Sequence, residues 1–101
     1  MGDIRVYKYQ MLSRDCTIKM PLGARILSCQ IQDRFPCLWA IVDTEQEQKV
    51  PRRFIGIGTG YKIPQDVELE FIATIQTGEL LVHHIFEATS MINDRKGEAN
   101  G

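Results

Sequence analysis

ARILSCQIQDRFPCLWAIVD, residues 24–43, is the stretch on which the fold turns. Two runs rich in Ile, Leu, Val and aromatics, 24–32 and 37–43, flank the turn-forming DRFP. Short runs of this kind bounded by Asp and Pro read as paired strands. Successive strand side chains point to opposite faces, so the register can be tested by what it brings together. With Arg34 and Phe35 as a two-residue turn, Leu27, Cys29 and Ile31 share a face with Leu38, Ala40 and Val42, an apolar set that must be core. The opposite face then holds Ile26, Ser28, Gln30 and Gln32 beside Cys37, Trp39, Ile41 and Asp43. That face is neither cleanly polar nor cleanly apolar. A mixed face with one tryptophan suggests contact with a second sheet, a sister subunit or a ligand, with Trp39 at the contact.

Working outward, the same signals recur at 4–9, 16–20, 52–58, 67–76 and 80–88. MPLG and QTGE supply turn chemistry between candidates, and the polar TEQEQKVP (44–51) reads as a mobile hairpin loop between the fourth and fifth. No segment before residue 88 keeps a helical period. The expected fold is all-β, about seven mainly antiparallel strands in a sandwich or small barrel. One domain spans 1–88, and 89–101 form a frayed or briefly helical tail.

A chain of 101 residues, 44% hydrophobic and 25% charged, can bury one core without metal or disulfide support. Twelve Lys and Arg against thirteen Asp and Glu give a net charge of −1, which disfavours non-specific binding to long nucleic acid or anionic membrane. The apolar runs PCLWAIV and LLVHHIF fall short of the roughly 20 residues needed to span a bilayer, and the polar start is unlike a signal peptide. A cytoplasmic location is expected. Cys16, Cys29 and Cys37 are an odd number without C-x-x-C spacing, so three reduced thiols packing as small hydrophobes are expected, with no metal.

Residues 56–60, GIGTG, carry glycines at alternate positions. A dinucleotide fingerprint needs G-x-G-x-x-G opening a helix, whereas here YKIP follows. Gly56 and Gly58 therefore read as points of close approach or a bulge, and Gly60 as a positive-φ turn residue. With Arg52, Arg53 and Lys62 nearby, the loop of Gly58, Thr59 and Gly60 could also hold an anion. Adjacent Arg52 and Arg53 must face opposite ways, the exposed one answering Glu45 and Glu47. His83 and His84 diverge for the same reason, with Leu80, Val82, His84 and Phe86 expected inward and His84 a structural or ligand-contacting histidine. Asp66, Glu68 and Glu70 read as a solvated stripe opposite Val67, Leu69 and Phe71. No G-x-S-x-G, H-E-x-x-H or local Cys-His signature occurs, so neither catalytic residues nor enzymatic activity are expected.

Taken together, VYKYQM, MPLGARIL, the Q-x-Q hairpin running into PCLWA-x-VD, and GTG followed closely by Ile resemble a family of small proteins of tailed bacteriophages and prophages. The likeness runs from about Ile4 to Glu87 and contains no catalytic motif. The long TEQEQKVP connection and the polar tail depart from the pattern. The resemblance implies a phage accessory protein in the host cytoplasm. It further implies kinship with phage proteins that sequester cyclic nucleotide immune signals as oligomeric sponges. A sponge needs aromatics to stack bases, which Tyr7, Tyr9, Trp39, Phe54 and Tyr61 could supply. Arg52, Arg53, Lys62 and the glycine loop would meet phosphates, and homo-oligomerisation through the Trp39 face would match a symmetric cyclic dinucleotide. The rival expectation is an inhibitor or structural accessory that docks a host or phage protein.

Overall fold

The computed structural model describes residues 2–78 and 81–91. Seven strands form two antiparallel sheets, and there is no helix among the described residues. The strands are β1 (Ile4–Gln10), β2 (Asp15–Pro21), β3 (Arg25–Gln32), β4 (Phe35–Asp43), β5 (Lys49–Gly58), β6 (Val67–Gln76) and β7 (Val82–Met91). One sheet has the order β1-β4-β3 and the other β2-β5-β7-β6. The chain changes sheet between β1 and β2, β2 and β3, and β4 and β5.

The β3–β4 hairpin sets the core. Its turn is Asp33 and Arg34, both at positive φ (54° and 76°), and Gln32 pairs with Phe35. Two positive φ values define a type I′ turn, whose twist matches the strands it joins. The turn is thus one residue earlier than expected, and Phe35 opens β4. Cys29 pairs with Leu38 on the inner face, and Leu38, Ala40 and Val42 are fully buried. A bulge between Ile26 and Ser28 reverses the alternation, so Ile26, not Leu27, pairs with Ala40 and packs on the core. Leu27 is 46% exposed. A bulge adds one residue to one strand, a shift that strict alternation does not anticipate.

The second sheet closes over this face with Phe54, Ile75 and Ile85, joined by Met11 and Met20. Side chains of this size each stabilise the fold by about 1.5–3 kcal/mol when fully buried. Cys29 and Cys37 are buried, Cys16 is half-buried, and all three are free thiols. Burial pushes the Cys29 thiol up to about 12.

β7 faces opposite to expectation. Ile85 and Glu87 point inward and are buried, while His84 and Phe86 lie on the outer face. The reason is an ion pair: Arg52 on β5 grips Glu87 through Nε–Oε2 at 2.6 Å and Nη2–Oε1 at 2.8 Å, and Nη1 donates to the Ala24 carbonyl. A buried carboxylate is tolerated when a fixed guanidinium fork meets both its oxygens. Donation to Glu87 raises the Arg52 pKa further. Leu80 lies outside the described residues.

TEQEQKVP is not a hairpin, because β4 and β5 belong to different sheets. It is tethered: Thr44 N and Oγ1 both donate to Asp3 O, and Glu45 N donates to Asp43 Oδ1 at 3.0 Å. Arg53 does not answer the acidic loop; it pairs bidentately with Asp15 across β2 at 2.9 and 2.7 Å. β7 continues to Met91, past the expected boundary at 88, and residues 92–101, with the rest of the expected tail, lie outside the described residues. Val67 is buried as expected, but bulges at Glu68/Leu69 and Phe71/Ala73 leave Phe71 58% exposed.

Candidate functional site

The glycine segment is where the structure concentrates cavities and uncommitted side chains. β5 runs to Gly58, and Tyr61 N donates to Gly58 O at 3.1 Å, closing a four-residue turn with Gly60 at φ 89°. Positive φ at the third position is the type II requirement, so glycine belongs there. Gly56 serves close approach instead. A Cβ on it would lie 3.2 Å from Ile85 Cδ1, and its N–H donates to Arg14 O at 2.7 Å.

That last bond carries the Leu12–Asp15 segment alongside β5 and sets the Arg14 side chain at the mouth of the turn. Arg14, Gly58, Thr59, Tyr61, Leu81 and His83 line one cavity of about 570 Å³. A narrower apolar cavity of about 170 Å³ shares Arg14 and His83 and continues beneath to Met11 and Phe35. The Arg14 side chain is exposed and has no hydrogen-bond or ion-pair partner among the described residues. Tyr61 is 71% exposed, so its ring is open to a stacking partner.

On the outer face, His84 braces the turn. Its Nε2 lies 2.8 Å from Thr59 Oγ1 and its Nδ1 lies 2.9 Å from Thr74 Oγ1. Each hydroxyl can donate or accept, so both ring nitrogens are engaged whichever tautomer is present. Ile57, Ile63, Tyr61 and Phe86 surround His84 in a third pocket, of about 200 Å³. Phe71 meets Phe86 edge-to-face with centroids 5.7 Å apart, a favoured aromatic geometry.

Of the residues expected to bind a ligand, the structure brings together Gly58, Thr59, Gly60, Tyr61 and His84, and separates the others. Phe54 is fully buried in the core and presents no ring to a ligand. Arg52 is spent on Glu87 and Ala24, and Arg53 is spent on Asp15. Lys62 follows the turn but lines none of the three cavities. Trp39 sits in the other sheet, half-buried between Lys8 of β1 and Ser28 of β3, also outside all three. Arg14 was missed. It lies in a loop before β2, and nothing in the spacing of residues 14 and 56 signals that their backbones meet. Among the described residues no group of three or more His, Cys, Asp or Glu side chains could hold a metal ion.

Residues 3–95 match a family described as a domain of unknown function (DUF7352), and the chain belongs to it. No curated protein and no solved structure matches. No helix among the described residues is long and apolar enough to cross a membrane.

Proposed function

We propose that this DUF7352 member is a non-enzymatic binding protein that sequesters a small anionic ligand bearing a planar base at the glycine turn. A cyclic nucleotide immune signal is the ligand class, and the host bacterial cytoplasm, under phage control, is the setting. One observation carries the proposal: the Arg14 guanidinium, which has no partner among the described residues, and the exposed Tyr61 ring line the same cavity. A guanidinium offers a planar fork to phosphate oxygens, and an open tyrosine ring stacks a base with little regard for its identity. His84 is given the structural task of bracing the turn, and no chemical step is assigned to it.

The experiment is a thermal-shift titration with cyclic dinucleotides and mononucleotides. At a ligand concentration of 1,000 Kd, mass action stabilises the folded state by about 4 kcal/mol, a shift well above noise. Arg14→Ala should abolish the shift and Tyr61→Ala should reduce it, with the ligand recovered intact. Arg53→Ala should leave it in place, because Arg53 is held by Asp15 away from the cavity. No shift with any nucleotide refutes the proposal.

A second function is favoured by a different observation. Phe71 (58% exposed), Ile63 (48%) and Tyr61 form an apolar outer face beside Phe86. Exposed aromatics of this kind fit docking to a host or phage protein. In that case nucleotides produce no shift, and Phe71→Glu removes the partner while Arg14→Ala does not.

A further inference from the structure

We propose that β1 pairs with β1 of a second copy of this chain, joining the two three-stranded sheets into one six-stranded sheet across a two-fold axis. The two sheets have four edge strands, β1, β3, β2 and β6. Edge strands expose unpaired backbone donors and acceptors, and folded proteins blunt them with proline, charge or bulges. β2 carries Lys19 and ends in Pro21. β3 is broken by its bulge between Ile26 and Ser28, and β6 by two register shifts. Of the four, only β1 has neither a proline nor a register shift: its seven residues IRVYKYQ pair with β4 in unbroken register.

Its charges do not guard the edge either. Lys8 Nζ reaches across the sheet to Gln32 Oε1 at 2.5 Å, and Arg5 Nε is held by Asp3 at 2.8 Å. Meanwhile Ile4 and Val6 are 58% and 55% exposed and Tyr7 is 43% exposed. The occupant follows from self-complementarity. An antiparallel pair related by a two-fold axis normal to the sheet keeps the core face of both copies on one side. Centring the axis on Arg5 or Lys8 would set like charges directly opposite, which is destabilising. Centring it on Val6 or Tyr7 sets Arg5 against a tyrosine of the other copy, Tyr7 or Tyr9, and Lys8 against Ile4 or Val6. No like charges then meet, and an arginine over a tyrosine ring is attractive. The outer faces carrying Trp39 become continuous across the join.

The proposal goes beyond ligand binding at the glycine turn and is tested without ligand. Sedimentation velocity over a concentration series should show a monomer–dimer equilibrium. Val6→Lys with Tyr7→Lys should weaken it at least tenfold while circular dichroism stays unchanged, since both side chains are exposed. Opposed Cα atoms in an antiparallel pair lie about 4.5–5.5 Å apart, within disulfide range. Val6→Cys or Tyr7→Cys, whichever is at the axis, should therefore form a covalent dimer on mild oxidation, and Lys19→Cys on β2 should not. A monomer at every accessible concentration overturns the proposal. So does a dimer indifferent to the lysine pair, or a cross-link at residue 19 in place of 6 or 7.

Discussion

Replacing Glu87 with Gln tests how much the buried ion pair between neighbouring strands β5 and β7 contributes to the stability of the fold. Arg52 and Glu87 side chains are 19% and 10% exposed, so the pair is largely withdrawn from water. Removing one member of such a pair strands the other charge, at about 3–5 kcal/mol. The residual exposure and the field of Glu70, which also favours the charged Arg52, place the expected loss near the lower end, about 3 kcal/mol. For a domain of this size each kcal/mol moves Tm by about 4–8 °C, so Glu87→Gln should melt about 12–24 °C lower. Arg52→Lys should lose less: it keeps the charge but not the fork that reaches both Glu87 and Ala24. Arg52→Met with Glu87→Leu should recover most of the loss, because an apolar pair leaves no stranded charge. Urea unfolding followed by the fluorescence of the single tryptophan gives all three values. A Glu87→Gln variant within about 1 kcal/mol of the parent would refute the reasoning, since no stranded buried charge is that inexpensive.

Phe54→Ala should cost about 3–5 kcal/mol in the same assay, as deletion of a fully buried ring in the core. Arg34→Gly should stabilise by roughly 0.5–1 kcal/mol, because the second type I′ position holds Arg34 at φ 76° and glycine adopts that conformation without a Cβ clash; a destabilised variant would contradict the turn assignment. Donation from Arg53 holds the Asp15 carboxyl below its ordinary 3.8, so the pair's contribution is present above that pH and is lost as pH falls through the lower folded value. Both side chains are 41–54% exposed, so Asp15→Asn should cost less than about 1 kcal/mol at pH 7 and progressively less as the pH is lowered below 3.8, measured by paired urea titrations. The Cys29 thiol, raised to about 12 by burial, should resist thiol reagents at pH 8 until the protein unfolds. The same shift means stability falls as pH rises from 9, where an unfolded thiol ionises, toward 12. Rapid native labelling of Cys29 at pH 8 would overturn its placement.

The fold class was legible because it depends on local signals. Seven short apolar runs with turn residues between them can bury a face only as strands, and every expected strand is present within a few residues of its limits. Gly60 was legible as a positive-φ turn residue, because few other residues fit there. Facing was less secure. Alternation placed Cys29, Ile31, Leu38, Ala40 and Val42 correctly but failed at Leu27, where the bulge intervenes, and through β7, where Arg52 draws Glu87 inward. A strict period of two contains neither a bulge nor a partner on another strand.

The candidate site divides in the same way. The turn from Gly58 to Tyr61 is contiguous in sequence, so its residues were found together. Trp39, Arg52, Arg53 and Phe54 were grouped with them by residue type alone, and the sheets distribute them to an outer face, an ion pair with Glu87, a pair with Asp15 and the core. Arg14 joins the turn through one backbone bond to Gly56.

By itself the sequence determined that this chain forms a β-rich unit with a glycine turn, because strand and turn preferences act over a few neighbouring residues. Only the tertiary structure decided which cations are free, which strand edge is unguarded and which histidine faces out. Those properties belong to contacts between segments tens of residues apart, and a side chain's chemistry is set by the partner it meets there.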